Sequence, residues 1–379
     1  MANILDYIDW RGDIPFARDP INAVDLLIFS IISYADMDDL FKGDRILALP
    51  HLAERYIQAG IDQSALAYDP KPVLTKVSES VRFGNVLVGC YVNRLDKETD
   101  TQFSAVTFQI SRDTNIVAFR GTDNTITGWR EDFNASYQKT HAQDLAMRYL
   151  NQITDENIYV CGHSKGGNLA IYSASFCNTD VQDHIVTAVS FDGPGYMDET
   201  VNAPGYKKIL SRTILYLPES SVIGLLMNQY SERIIIESTE TLMMQHDPYS
   251  WKVMGCEFVK AKQLSAFSQY IEEIMDGWIK DTTVEEKKQL VNTLFTALEA
   301  GGAETFQQLS SSKKDTIASI LKFLRESNTK DIKAVGDTLM KLAGNTGNMI
   351  LSDVKNYVNQ KLSPDNTDKE NTDKESEEK

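Results

Sequence analysis

A serine between two glycines is the first feature of this chain that could carry out chemistry. It lies in "GHSKG", residues 162–166, between an apolar run and a run of small and apolar residues. A strand, a tight turn and a helix in this order lift a serine hydroxyl above the edge of a sheet, and the helix N-terminus stabilises negative charge beside it. We predict that Ser164 is a nucleophile; the alternative is a small polar residue in an ordinary glycine turn.

A serine nucleophile needs a base that accepts its proton. The chain has five histidines, which are His51, His141, His163, His184 and His246. His246 lies in "MMQHDPYSW", after the last predicted strand, where the order serine, acid, histidine places the base. His163 adjoins the serine, so its side chain should point away and pack. His51 precedes the α/β region, and solvation is the default for His141 and His184 at helix or loop edges. We therefore predict that His246 is the base.

The base must be oriented by a carboxylate. Asp192 ends the predicted strand in "SFDGPG" and falls between the serine and the histidine in the chain. Its carboxylate could reach the imidazole Nδ1–H, although an aspartate in such a turn also commonly accepts backbone N–H bonds. Glu219 is the alternative acid, and Asp247 ranks third because adjacency to His246 makes good side-chain geometry difficult. We prefer Asp192.

Two backbone N–H groups should hold the oxyanion of an acyl-transfer reaction. One belongs to Lys165, directly after the serine, and the other to Thr122, where the apolar strand "IVAF" opens into "RGT". The Lys165 ammonium is expected at the surface or facing substrate, since "GHSKGG" lacks the residue order of a phosphate-binding loop.

The pairing of "AFRGT", a following tryptophan and aspartate, and "GHSKGG" resembles the class 3, fungal-type lipases of the α/β-hydrolase superfamily. The layout, including "FDGPG" and "QHDPYSW", is similar to an uncharacterised bacterial lipase-like family related to them. The resemblance covers residues 22–251. It implies an oxyanion residue at Thr122, a nucleophile at Ser164 and a late catalytic histidine at His246.

Two features depart from the class 3 lipases. Those enzymes carry their lid after the oxyanion residue, where this chain has the polar "TDNTITGWRED" with Trp129 and Asp132; this favours an esterase, with Asp132 holding the Thr122 hydroxyl. In those lipases an aspartate also opens the loop after the strand that corresponds to "TILYLP". This chain has Ser220 there, with Glu219 directly before it.

The order of predicted elements indicates the α/β class. Residues 22–37 have the apolar spacing of an amphipathic helix, and short β-rich runs begin at about residue 82. Strands then alternate with helices, which predicts a mostly parallel sheet with helices on both faces, of the α/β-hydrolase-like kind, plus a C-terminal helical region. Active sites in such sheets gather at the carboxyl ends of the strands.

The pattern predicts three segments. Residues 1–257 form the lipase-like domain, and residues 258–363 form a helical appendage that includes the capping-box pattern "TVEE". Residues 364–379, "PDNTDKENTDKESEEK", are acidic and lack apolar residues, which is typical of disorder.

Composition excludes several classes of protein. A formal charge of -16 over 379 residues repels nucleic acid and anionic lipid. The strongest apolar run, residues 24–33, is about half of a membrane span, and the N-terminus is acidic where a signal peptide is basic. The four scattered cysteines indicate neither a disulfide framework nor a zinc site. We expect a cytoplasmic protein without an integral membrane segment.

The expected function is that of a serine hydrolase acting on an ester-type bond, in a small-molecule or lipid-like substrate, through an acyl-enzyme. No cofactor or metal is required. Two alternatives stay open: an acyltransferase or thioesterase with the same site, and a catalytically weak scaffold whose C-terminal helices bind a partner protein.

Overall fold

The computed structural model describes residues 2–61, 68–96, 101–122, 138–266, 268, 269 and 272. The chain divides into two compact units, Met1–Asp281 and Thr282–Lys379, and every described residue belongs to the first. The predicted acidic tail and all but the first residues of the predicted helical appendage lie outside the described residues.

Among the described residues of the first unit, an eight-stranded sheet forms the centre. Its strands are β1 (Ile46–Ala48), β2 (Leu87–Asp96), β3 (Thr101–Ser111), β4 (Thr114–Phe119), β5 (Asn157–His163), β6 (Ile185–Phe191), β7 (Thr213–Pro218) and β8 (Glu232–Ile236). Their order in space follows their order in the chain. The pairs from β1 to β4 are antiparallel and the pairs from β4 to β8 are parallel. A small antiparallel pair, β9 (Val253–Met254) and β10 (Glu257–Phe258), follows.

Helices cover both faces of the sheet. In the part of the chain that the structure describes, they are α1 (Ile4–Arg11), α2 (Ala23–Ile32), α3 (Leu49–Ala59), α4 (Lys71–Ser78), α5 (His141–Leu150), α6 (Lys165–Phe176), α7 (Thr179–His184), α8 (Asp198–Asn202) and α9 (Pro204–Ile209). Crossovers between parallel strands are right-handed, so successive crossovers that step in one direction place their helices on one face. That face carries α5 to α9, and α1 to α4 cover the other.

Side chains that alternate along the central strands contribute to the hydrophobic cores on both faces of the sheet. Val117 of β4 packs with the crossover helices, whereas its neighbours Ile116 and Ala118 pack with the N-terminal helices. In β5, Val160 and Cys161 divide between the two cores in the same way. Successive side chains of a strand point to opposite faces, so strands buried on both faces consist of continuous apolar runs. The predicted α/β-hydrolase-like fold is thereby confirmed.

The N-terminal helices are joined to the body by a buried ion pair. Arg82 Nη2 donates to Asp25 Oδ2 of α2 at 2.6 Å, and both side chains are fully buried. The Tyr7 hydroxyl donates to the same carboxylate at 2.8 Å. The helix predicted over residues 22–37 is shorter than expected: Asn22 caps it, it ends at Ile32, and residues 33–35 form turns and a bend.

No helix within the described ranges combines the length and apolar character that crossing a membrane requires.

Candidate active site

Ser164 occupies a sharp turn between β5 and α6. Its backbone has φ 57° and ψ -131°, a left-handed conformation that is costly for a residue with a Cβ. The Ser164 N–H donates to the Phe191 carbonyl of β6 at 2.9 Å, and its own carbonyl accepts from the Gly167 N–H at 2.8 Å. The sheet and the first turn of α6 together hold the serine in this conformation.

Gly162 and Gly166 must be glycines because another part of the backbone packs directly against each of them. A Cβ at Gly162 would lie 2.2 Å from the carbonyl group of Gly166, and a Cβ at Gly166 would lie 2.1 Å from the Phe119 carbonyl oxygen. Real Cβ atoms do not approach backbone so closely, so only glycine allows α6 to start directly against β4 and β5.

The His246 ring faces the serine. Its Nε2 lies 3.0 Å from Ser164 Oγ. His246 is the last residue of a short 3₁₀ helix, Leu242–His246. The residue before it, Gln245, fixes the position of this helix. The Gln245 carbonyl accepts from Trp251 Nε1 at 2.7 Å, and its side-chain oxygen accepts from the Ser220 N–H at 2.7 Å. Gln245 therefore ties the residue before His246 both to Trp251 and to the turn after β7.

Asp192 contacts the other ring nitrogen. Its Oδ2 lies 2.6 Å from His246 Nδ1, and the residue is fully buried at the carboxyl end of β6. Its Oδ1 accepts from the Ser221 hydroxyl at 2.5 Å and from the Gly224 N–H at 3.2 Å. Charge-assisted hydrogen bonds of this kind hold a buried carboxylate in one orientation. The backbone is also fixed, because the Asp192 N–H donates to the Tyr216 carbonyl at 2.9 Å.

The other two acid candidates make different contacts. Ser164 and Asp192 contact the two ring nitrogens of His246, so neither nitrogen is left for Glu219. Glu219 is half-buried, and its backbone N–H donates to the Ile236 carbonyl at 3.0 Å. Asp247 accepts from the Tyr249 N–H at 3.0 Å and caps a short 3₁₀ turn, and burial raises the pKa of its carboxyl.

The two residues proposed for the oxyanion lie beside the serine turn. Thr122 is buried and follows Gly121, where a Cβ would lie 2.6 Å from the His163 carbonyl oxygen. Lys165 is the first residue of α6, is 5% exposed, and donates from Nζ to the Gln102 carbonyl at 2.8 Å. The expectation of a surface position for this ammonium is therefore wrong, because β3 receives it inside the fold.

Trp129 and Asp132, which the resemblance places in the lid segment, lie outside the described residues.

His163 packs as expected, but its contacts go further than the sequence indicated. Its buried ring lies 4.6 Å from that of His246, centroid to centroid. Its Nε2 lies 2.9 Å from the His246 carbonyl oxygen and its Nδ1 lies 3.1 Å from the Tyr34 hydroxyl. A carbonyl only accepts, so Nε2 carries the proton and Nδ1 accepts from Tyr34. Burial, with a smaller effect of His246, lowers the pKa of His163 well below its usual value and keeps it neutral.

Alternation in β5 is the one sequence signal that bears on this role. Cys161 faces the N-terminal helices, so His163, two residues later, faces them as well. Nothing in the spacing of residues indicates that His246 would lie next to His163. His141 and His184 are exposed, as expected, and His51 is exposed as well.

The geometry suits proton transfer from a hydroxyl to an imidazole. The Ser164 hydroxyl is within hydrogen-bond reach of Nε2, and a carboxylate on Nδ1 fixes the tautomer that leaves Nε2 free to accept a proton. Over the described part of the chain, no three His, Cys, Asp or Glu side chains are grouped as metal ligands would be.

Comparison with known proteins gives a family and several solved structures that resemble this chain. A chain described as "Crystal structure of M37 lipase" matches with a TM-score of 0.36 and 14% sequence identity, covering 69% of this chain and 83% of that one. No curated protein matches. The sequence model of the Mbeg1-like family matches residues 77–296, more than half of the chain, and confirms the lipase-like resemblance. The chain therefore belongs to the Mbeg1-like family.

Proposed function

We propose that this protein is a serine hydrolase that cleaves an ester-type bond, with Ser164 as nucleophile, His246 as base and Asp192 as orienting acid. The observation that carries the proposal is the continuous contact from Ser164 Oγ to His246 Nε2 at 3.0 Å and from His246 Nδ1 to Asp192 Oδ2 at 2.6 Å. The left-handed backbone of the serine adds support, because strain of this kind recurs at functional sites.

The proposed reaction has two halves. Ser164 Oγ attacks the ester carbonyl carbon while His246 Nε2 takes the hydroxyl proton, and the carbonyl oxygen becomes an oxyanion. The imidazolium then gives its proton to the leaving alkoxide, which departs as an alcohol and leaves an acyl-enzyme. Water attacks the acyl group, His246 takes a water proton, and the proton returns to Ser164 Oγ as the acid product leaves.

The backbone N–H groups of Thr122 and Lys165 are proposed to bind the oxyanion. Lys165 begins α6 directly after the nucleophile, so its N–H is at the positive end of a twelve-residue helix. Close packing at Gly121 supports a role for Thr122, because the loop after β4 lies against the serine turn. Donors fixed by packing before the substrate arrives stabilise an oxyanion without reorganisation.

The substrate class is proposed as a carboxylester or a lipid acyl ester. The polar sequence of residues 122–132 favours an ester that is soluble in water over one presented at a lipid interface. A cytoplasmic location belongs to the same proposal, and it is supported by the four cysteines, all of which are free thiols.

A fluorophosphonate probe tests the proposal directly, because such probes react only with an activated serine. We expect the purified protein to gain one probe mass and to hydrolyse p-nitrophenyl acetate or butyrate faster than the palmitate ester. Ser164→Ala should do neither. Ser30→Ala, which removes a buried hydroxyl that donates to the Leu26 carbonyl at 2.8 Å, is the control and should behave as the unaltered protein.

Failure of the unaltered protein both to react with the probe and to hydrolyse any ester of the series would overturn the proposal. It would favour a hydrolase-like scaffold instead.

A further inference from the structure

The turn after β7 contributes no acid to His246, yet it holds the acid that does contact it. Asp192 Oδ1 accepts from the Ser221 hydroxyl at 2.5 Å and from the Gly224 N–H at 3.2 Å, while Oδ2 faces His246. Two donors on one oxygen restrict rotation of the carboxylate, so the other oxygen keeps its direction. Ser221 is 2% exposed and its own N–H donates to the Pro218 carbonyl at 2.9 Å.

The space around the carboxylate is tight. A Cβ on Gly224 would lie 2.5 Å from Asp192 Oδ1 and 3.1 Å from Ser221 Oγ. The turn after β7 therefore packs closely against the Asp192 carboxylate, and the Ser221 hydroxyl lies between the Gly224 backbone and that carboxylate.

A further stretch of chain holds this turn from outside. We call Leu264, Ser265 and Ser268 the clamp segment. The Ser265 N–H donates to the Glu219 carbonyl at 2.6 Å, and the Ser268 hydroxyl donates to the Ser221 carbonyl at 2.7 Å. Leu264 packs in a small apolar cluster of the body with Leu215, Leu217 and Leu225. The clamp segment thus binds both the first residue of the turn and Ser221.

We propose that Ser221 is a positioning residue for Asp192 and that the clamp segment holds Ser221 in place, so that turnover depends on chain that follows β10. The proposal rests on the proposed function, since the direction of Asp192 matters only if His246 serves Ser164. Asp192 is fully buried, so loss of its orientation impairs proton transfer and leaves substrate binding intact.

The decisive experiment combines kinetics with one-dimensional proton NMR. Ser221→Ala should lower kcat about 10- to 100-fold, the range expected for a lost hydrogen bond to a charged group, and change KM by no more than about twofold. The strongly downfield proton of the His246 Nδ1–H bonded to Asp192 should shift or disappear through exchange. Recording this resonance requires no substrate, so it reports on the contact between His246 and Asp192 separately from turnover.

A matched pair separates the hydroxyl from the shape of the side chain. Ser221→Thr and Ser221→Val have the same shape, but only threonine keeps a donor for Asp192. We expect the threonine variant to retain most of kcat and the downfield proton, and the valine variant to resemble Ser221→Ala. If both larger side chains prevent folding, Ser221→Ala decides through kcat and the resonance. Ser268→Ala should cause a smaller loss of kcat in the same direction, and Ser30→Ala should cause none.

The outcomes distinguish the two proposals. A protein that neither reacts with fluorophosphonate nor hydrolyses esters would overturn the proposed function, and this inference with it. An active protein in which Ser221→Ala keeps both kcat and the downfield proton would overturn the inference alone.

Discussion

His163 donates a hydrogen bond from its ring Nε2 to the backbone carbonyl of His246 over 2.9 Å, so that one histidine fixes the backbone of another. The Tyr34 hydroxyl, just after α2, donates to the other nitrogen of His163 at 3.1 Å. A hydrogen-bonded path therefore runs from the N-terminal helices through β5 to the loop that carries the proposed base. His163 thus holds the backbone of this loop, while Ser164 and Asp192 contact the His246 ring itself.

Replacing His163 should change how stability depends on pH. The pKa of His163 is lowered by burial, whereas in the unfolded chain it should be near the ordinary value of about 6.5. Below that pH the unfolded state binds a proton that the folded state does not, so stability is complete above about pH 6.5 and is lost as the pH falls. Its contribution to the slope approaches about 1.4 kcal/mol per pH unit.

In His163→Gln, which retains a donor for the His246 carbonyl, the free energy of unfolding should fall less steeply between pH 6.5 and 5. Urea unfolding at several pH values measures both slopes. Exposed histidines and carboxylates are common to the two proteins and cancel in the difference. Identical slopes in the two proteins would mean that His163 is charged in the folded state.

Asp192→Asn should cost about four orders of magnitude in kcat for ester hydrolysis. The asparagine amide donates where the carboxylate accepted, so it favours the tautomer whose Nε2 carries a proton and cannot accept one from Ser164. Glu219→Gln is the matched change at the other acid and should leave kcat within about threefold, because the Glu219 side chain does not occupy a ring nitrogen. Equal or reversed losses in folded variants would show that the wrong carboxylate has been assigned.

Gly162→Ala should destabilise the protein by about 3 kcal/mol, the upper end of the usual cost of overpacking, since the new Cβ would meet the Gly166 carbonyl and only backbone movement could relieve the overlap. Gly60→Ala is the control. Gly60 has φ 59° and open space around a new Cβ, so its cost is only that of a left-handed alanine, about 1–2 kcal/mol. Denaturant unfolding of both variants would measure the difference; an equal cost would mean that α6 is not packed against β5 as described.

Arg82→Met should cost about 3–5 kcal/mol of unfolding free energy, because it leaves the buried Asp25 carboxylate without its cation. The Lys76 and Asp9 ion pair provides the contrast, as both partners are partly exposed. Lys76→Met should leave the midpoint of urea unfolding unchanged within error. A small effect at Arg82 would indicate that Asp25 takes up a proton at little cost when the arginine is removed.

The features that sequence predicted are those that local pattern determines. The strands from β2 to β8 follow from short apolar runs, and the serine turn follows from glycines at fixed spacing within one strand–turn–helix unit. The sequence pattern does not predict helices α1, α3, α4, α7, α8 and α9, and it predicts α2 too long. Helix α1 has buried residues only at Ile4, Tyr7 and Ile8, which is too short a pattern to distinguish from a loop.

Contacts between distant parts of the chain were beyond reach of the sequence. Asp192 and His246 are 54 residues apart, and which carboxylate meets the ring depends on where the loop after β8 returns across the sheet. Sequence therefore left Asp192 and Glu219 as alternatives. The burial of Lys165 was missed for the same reason, because its partner Gln102 lies 63 residues earlier in the chain.

The order of the strands in the sheet determines how far apart the proposed nucleophile and the proposed acid lie. Neighbouring strands lie about 4.8 Å apart, and Ser164 and Asp192 stand at the ends of the neighbours β5 and β6. A single imidazole ring spans that one gap. An acid at position 220, after β7, would lie two such gaps from Ser164. With the carboxylate one strand from Ser164, the turn after β7 supports the acid through Ser221 and Gly224 and does not supply it.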